Sequence, residues 1–119
     1  MAANTATLLP DFPISIGNRR LSVITLTGMN PYVFVTSGSP PTGGQALLAS
    51  QFGLKYLDSV FCDLDNTGVY TAIWTPTSST PNGVIAGILM WFTANAGGGG
   101  EPGSVDLSAK TIRVTAIGR

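Results

Sequence analysis

Hydrophobic and polar residues alternate along much of this 119-residue chain, and only one stretch recurs at helical spacing. Over residues 14–27, Leu21, Val23, Thr25 and Thr27 share one face and Ser22, Ile24 and Leu26 the other, which predicts a strand. Gly17-Asn18 marks a bulge or turn that breaks it in two. Residues 111–117 set Ile112, Val114 and Ala116 against Thr111, Arg113 and Thr115, a strand with one buried face. Residues 84–92 are apolar at both alternating positions, as expected of a central strand covered on both sides. Residues 55–64 and 69–75 read as a hairpin across Asp65-Asn66-Thr67-Gly68, whose residues tolerate the left-handed region. Residues 32–36 make one more short strand. Residues 45–52 read as a short helix closed by Gly53 and then Leu54 in the Schellman manner, too short to stand without packing. Residues 37–44, 77–83 and 95–103 are loops, the last with four consecutive glycines. Pro10 and Pro13 bar helix from the first thirteen residues. The expected fold is mainly β: a single-domain β-sandwich or small barrel of about six strands with one short helix, with an extended N-terminal arm over residues 1–13 and the β domain over 14–119.

Composition sharpens this picture. Fourteen Thr, ten Ser, 15 Gly and 8 Pro accompany an ordinary 44% of hydrophobic residues, a mixture that favours strands joined by tight turns. Charge is scarce: six basic and six acidic residues, where a typical domain of this length carries about thirty charges. A net charge of zero argues against nucleic acid, whose phosphates demand a surplus of Lys and Arg. The longest apolar run, residues 84–92, falls well short of the ~18 residues that cross a bilayer as a helix, so no membrane is expected. The N-terminus has no basic segment or apolar stretch of signal-peptide length. A weakly charged surface rich in small hydroxyls suits a protein packed against its own copies or a partner.

Candidate chemistry is sparse. There is no histidine and a single cysteine, which removes the commonest acid–base group, most zinc ligation and any internal disulfide. Cys62 lies in an apolar strand without a base and reads as a small core residue. Asp63-Leu-Asp65-Asn-Thr67-Gly68 begins like a calcium loop but places Trp74 where a bidentate Glu is needed, so it reads as a turn braced by its own side chains. The Asp and Glu residues show no spacing that singles out a catalytic pair. Arg19 and Arg20 point to opposite faces of a strand, and a rim ion pair is favoured there over a phosphate clamp. Neither cofactor nor metal is expected, and no enzyme activity. Trp74, Trp91, Phe92, Tyr32, Tyr56 and Tyr70 leave two readings open, an exposed platform for sugars or core and interface residues.

Several short segments carry a family likeness. Gly17-Asn18-Arg19-Arg20 leads into a β-run, Thr42-Gly43-Gly44 precedes the helical stretch, and Phe52-Gly53-Leu54 closes it. Gly68-Val69-Tyr70, Asp106-Leu107-Ser108-Ala109 and the segment from Thr111 to Arg119 complete the pattern. On these features the chain resembles small virion structural proteins of tailed bacteriophages, of the kind that decorate the capsid. Where such proteins often carry Thr-Pro at the helix, this chain has Leu48-Ala49. The resemblance implies a decoration, or cement, protein made in the host cytoplasm and placed on the capsid surface of the virion. Its partners would be the major capsid protein and itself, commonly as a homotrimer. Three arms bound together would raise avidity by about 10²–10⁴ over one. The expected contact residues are Leu8, Leu9 and Phe12 on the arm, with the strand around Trp91 and Phe92 supplying core and subunit contact. The alternatives are another virion component (neck, tail or minor head) and a host-surface carbohydrate-binding β-module.

Overall fold

The computed structural model describes residues 5–29, 31–33, 35–36, 42–93, 101 and 106–119. Among them run eight strands: β1 (Thr5–Leu8), β2 (Ile14–Ile16), β3 (Arg19–Thr27), β4 (Gln45–Leu48), β5 (Leu57–Asp65), β6 (Tyr70–Thr80), β7 (Gly83–Thr93) and β8 (Thr111–Gly118). They form one curled antiparallel sheet, a half-barrel, in the order β1-β3-β8-β5-β7-β4, with β2 added to β3 and β6 to β7. The fold is thus mainly β, as the alternation predicts. The described residues contain no helix long and apolar enough to cross a membrane. Of the segment 32–36, the described residues show the bridge between Thr36 and Thr42 and a bond from Gly44 N–H to Val33 O. The four glycines at 97–100 lie outside the described residues, as do most residues of the predicted loops 37–44 and 95–103.

The sheet has two halves that meet where Leu57 pairs with Val84. One half holds β1, β2, β3, β8 and β5; the other holds β4, β7 and β6. Strand periodicity puts Ser22, Ile24 and Leu26 of β3 and Ile112, Val114 and Ala116 of β8 on the concave side. Leu89 and Trp91 of β7 close over them from the other half, and all but Ser22 belong to one continuous core. Ser22 donates its hydroxyl to the carbonyl of Phe52 at 2.6 Å, which satisfies it inside. Burying a side chain the size of Leu or Ile in this way stabilises by about 1.5–3 kcal/mol.

Three sequence expectations are corrected. Residues 45–52 are not a helix: Gln45–Leu48 is strand β4, and only Ala49–Phe52 turns, as a single 3-10 turn. Eight residues cannot recover the cost of helix nucleation alone, whereas the edge of β7 offers ladder bonds from Gln45 opposite Leu89 to Leu48 opposite Ala86. Gln45 also completes its amide only here. Its Oε1 accepts from Trp91 Nε1 at 2.9 Å and its Nε2 donates to the Thr27 carbonyl. The expected Schellman closure survives on the shorter turn, with Leu54 N–H bonded to Ala49 O, Gly53 N–H to Ser50 O, and Gly53 at φ 72°.

The second correction concerns the hairpin predicted over residues 55–75. Its turn forms but its strands do not pair: β5 pairs with β8, and β6 with β7. The Asp65 carboxylate accepts from Thr67 N and Oγ1, Val69 N and Tyr70 N, so the turn is braced locally and carries the chain from one half of the sheet to the other. The third is the loop predicted over 77–83, which shrinks to Pro81-Asn82 because β6 continues to Thr80 and β7 begins at Gly83. Pro76 does not stop the strand because β6 ladders to β7 alone, where a missing N–H is tolerated; register shifts follow at Ser78 and Ser79.

Candidate interaction surface

The sequence-predicted contact residues divide between core and surface. Trp91 is fully buried, with its backbone N–H bonded to Tyr32 Oη and its indole to Gln45, and so serves the core alone. Phe92 points out on the opposite face of β7, half-buried and across from Thr71. The arm does not stand clear of the domain: Thr5–Leu8 is β1, paired to β3, and Leu8 packs on the core. Leu9 N–H bonds to Val23 O and Phe12 N–H to Leu9 O, both side chains remaining half-buried.

The remaining aromatics do not assemble into a platform. Tyr32 is core, and Tyr70 meets Trp91 edge-on at 6.3 Å between ring centroids. Tyr56 lies beneath the Arg119 guanidinium. Trp74 packs inward over Gly87, where a Cβ would lie 2.3 Å from the indole nitrogen; that nitrogen is buried and unpartnered.

Titratable groups are occupied with structure. Burial, and then the charge of Asp63, push the Cys62 thiol up to about 12, so it stays protonated at neutral pH. Burial opposes ionisation of Asp65, but the bonds from Thr67, Tyr70 and Val69 outweigh it and hold its pKa below the ordinary value. Burial, and next the hydrogen bond to Glu101, push the Tyr32 phenol upward. Tyr32 Oη donates to Glu101 Oε2 at 2.6 Å, and Val35 N–H donates to the same oxygen. Arg19 Nε meets Asp58 Oδ2 at 2.6 Å, the rim ion pair that the strand geometry suggests. Among the described residues, no cluster of three or more His, Cys, Asp or Glu could hold a metal ion.

Large apolar side chains are exposed on both halves of the sheet, Ile14, Ile16, Phe61 and Leu64 on one and Leu48, Ile73 and Ile85 on the other. On the outer face of β4, β7 and β6, Phe92 lies opposite Thr71, Met90 opposite Ile73, and the buried Ile88 between Thr75 and Ala46. Ile73 is 53% exposed and Leu48, opposite Ala86, is 47% exposed. None of the residues of these three strands is charged. Beside Leu48 the face runs into an open groove of roughly 410 Å³ lined by Leu54, Tyr56, Ile85 and Lys55. Sequence reasoning picked out Phe92 but missed Leu48, Ile73 and Met90. The available signal was the absence of any charged residue from Asn66 to Gly100. No protein-family model, no curated protein and no solved structure matches the chain.

Proposed function

We propose that the chain is a capsid decoration protein. It binds the outer surface of a tailed-phage head and braces the shell, with the major capsid protein and further copies of itself as partners. The charge-free outer face of β4, β7 and β6 carries this reading. Interface cores are depleted of charge and enriched in Met and aromatic residues, and this face offers Ile73, Met90 and Phe92 in adjacent rows. Its size suits a repeated contact: two strands of eleven residues and one of four cover about 400 Å² at ~3.3 Å per residue and ~4.8 Å between strands. One such patch gives a weak pair, and the symmetry of a shell multiplies it. The sequence resemblance to phage decoration proteins supports a shell as the surface this face covers. The aromatic geometry lends no support to a carbohydrate-binding module.

Co-sedimentation with expanded heads of the phage that encodes the chain tests this. The expected result is saturable binding of copies numbering in the hundreds, with Ile73→Asp folded but binding at least tenfold more weakly, which is about 1.4 kcal/mol. Absence of binding would overturn the reading. A dozen copies or fewer would assign the chain to the neck or tail instead.

A further inference from the structure

β1 and β2 lie end to end along the same edge of β3, both antiparallel to it. Thr5 pairs with Thr27 and Leu8 with Ile24; pairing resumes at Ile14 opposite Leu21. Between them the chain leaves the ladder, and Leu9 N–H to Val23 O is the last bond before the excursion. The excursion holds Pro10, Asp11, Phe12 and Pro13, and Asp11 is the one non-glycine residue at positive φ, 68°, among the described residues. The first part of the detour is a turn at Pro10-Asp11, closed by Phe12 N–H to Leu9 O with Asp11 in the left-handed region, and the Phe12-Pro13 peptide bond that follows is cis. If Asp11 extends, that turn opens and residues 5–9 swing away from their own β3.

The seat that β1 fills is a built one. Ala6 and Leu8 point inward onto the core, and Leu8 reaches to the position of Gly53 at the end of the 3-10 turn. Thr7 falls on the outward side of the ladder. Backbone bonds to β3 give affinity, and the two inward side chains give register, as in strand-addition complexes.

We propose that β1 is an exchangeable strand: between adjacent copies, residues 5–9 of one occupy the β3 edge of the next. Every contact of residues 5–9 with β3 and the core is remade in the exchanged form, while the bond from Phe12 N–H to Leu9 O is given up, so the balance rests on the hinge and on local concentration. Extension relieves Asp11 of its left-handed conformation, which favours exchange. Four hinge residues span about 14 Å when extended, so exchange is confined to copies packed side by side. The inference concerns the chain's own copies in solution and does not rest on the capsid reading.

The experiment uses Thr7→Cys with Thr25→Cys in a Cys62→Ser background. These residues are ladder partners, at about 5.5 Å between Cα atoms, a separation that a disulfide spans. Isotopically heavy and light protein is mixed, concentrated stepwise, oxidised and digested. Disulfide-linked peptides of mixed isotope arise only when strand and seat come from different copies. The expected result is a mixed share that rises with concentration towards half. Mixed peptides absent at every concentration up to the solubility limit would overturn the proposal, whether or not the protein binds heads. Should that variant fail to fold, Thr5→Cys with Thr27→Cys reads the same ladder one pair further out.

Discussion

The two halves of the sheet share one core and differ on their outer faces. The half built of β1, β2, β3, β8 and β5 carries Arg19, Arg20, Asp58, Asp63 and Arg113 towards solvent and Asp65 buried in its turn, whereas the half built of β4, β7 and β6 carries no charge at all. The inner faces follow the same rule, apolar residues closing on Trp91, Ile24 and Val114, with Ser22 and Gln45 hydrogen-bonded among them. Fold stability therefore does not require the asymmetry. The charged half meets water with the Arg19–Asp58 pair and braced turns, charges interspersed among its exposed Ile14, Ile16, Phe61 and Leu64. The uncharged half offers Ile73, Met90 and Leu48 with nothing to keep a partner off, because no charge has to be desolvated when another surface covers it.

The sharpest way to break this comparison is to truncate neighbouring residues on opposite faces of β7. Trp91→Ala should lower unfolding free energy by about 3–5 kcal/mol, read as a shift of the denaturant midpoint. Phe92→Ala should cost well under half of that and act mainly on association. Equal losses would mean that both faces are core. On the charged half, Asp65→Ala should cost about 1–3 kcal/mol by stripping the turn of its acceptor. Because the folded pKa of Asp65 lies below its ordinary 3.8, its stabilisation is present above that value and is lost as pH falls through the folded one. The melting temperature of the parent should therefore drop on acidification below about pH 4, and the alanine variant should show a shallower drop. A parallel decline in both would remove Asp65 from the account. Smallest of all, Arg19→Ala should change stability by about 0–1 kcal/mol, since the ion pair with Asp58 is solvent-exposed. A salt titration of the parent should show the same small effect.

How far the fold was legible depended on whether the deciding bond was local. Asp65 and the turn after it were readable because a carboxylate bonding two to five residues ahead needs no other part of the chain. The Schellman closure at Gly53 was readable for the same reason. β4 was not: whether Gln45 lies in a helix or a strand depends on Trp91, 46 residues away, and on Thr27. The partner of β5 was equally hidden, because the turn specifies that the chain reverses and says nothing of which edge is free to receive it. Of the candidate surface, Phe92 was foreseen, while Trp91 beside it belongs wholly inside.

The sequence by itself determined that this is a β protein, with little charge and no reactive cluster of the usual kinds, because residue type and period two are properties of single strands. Only the tertiary structure decided which strands pair, that residues 5–8 lie on β3, and that the uncharged strands stand together as one face. Pairing is a competition among edges for ladder bonds and buried side chains, and its outcome exists only when all the edges are present at once.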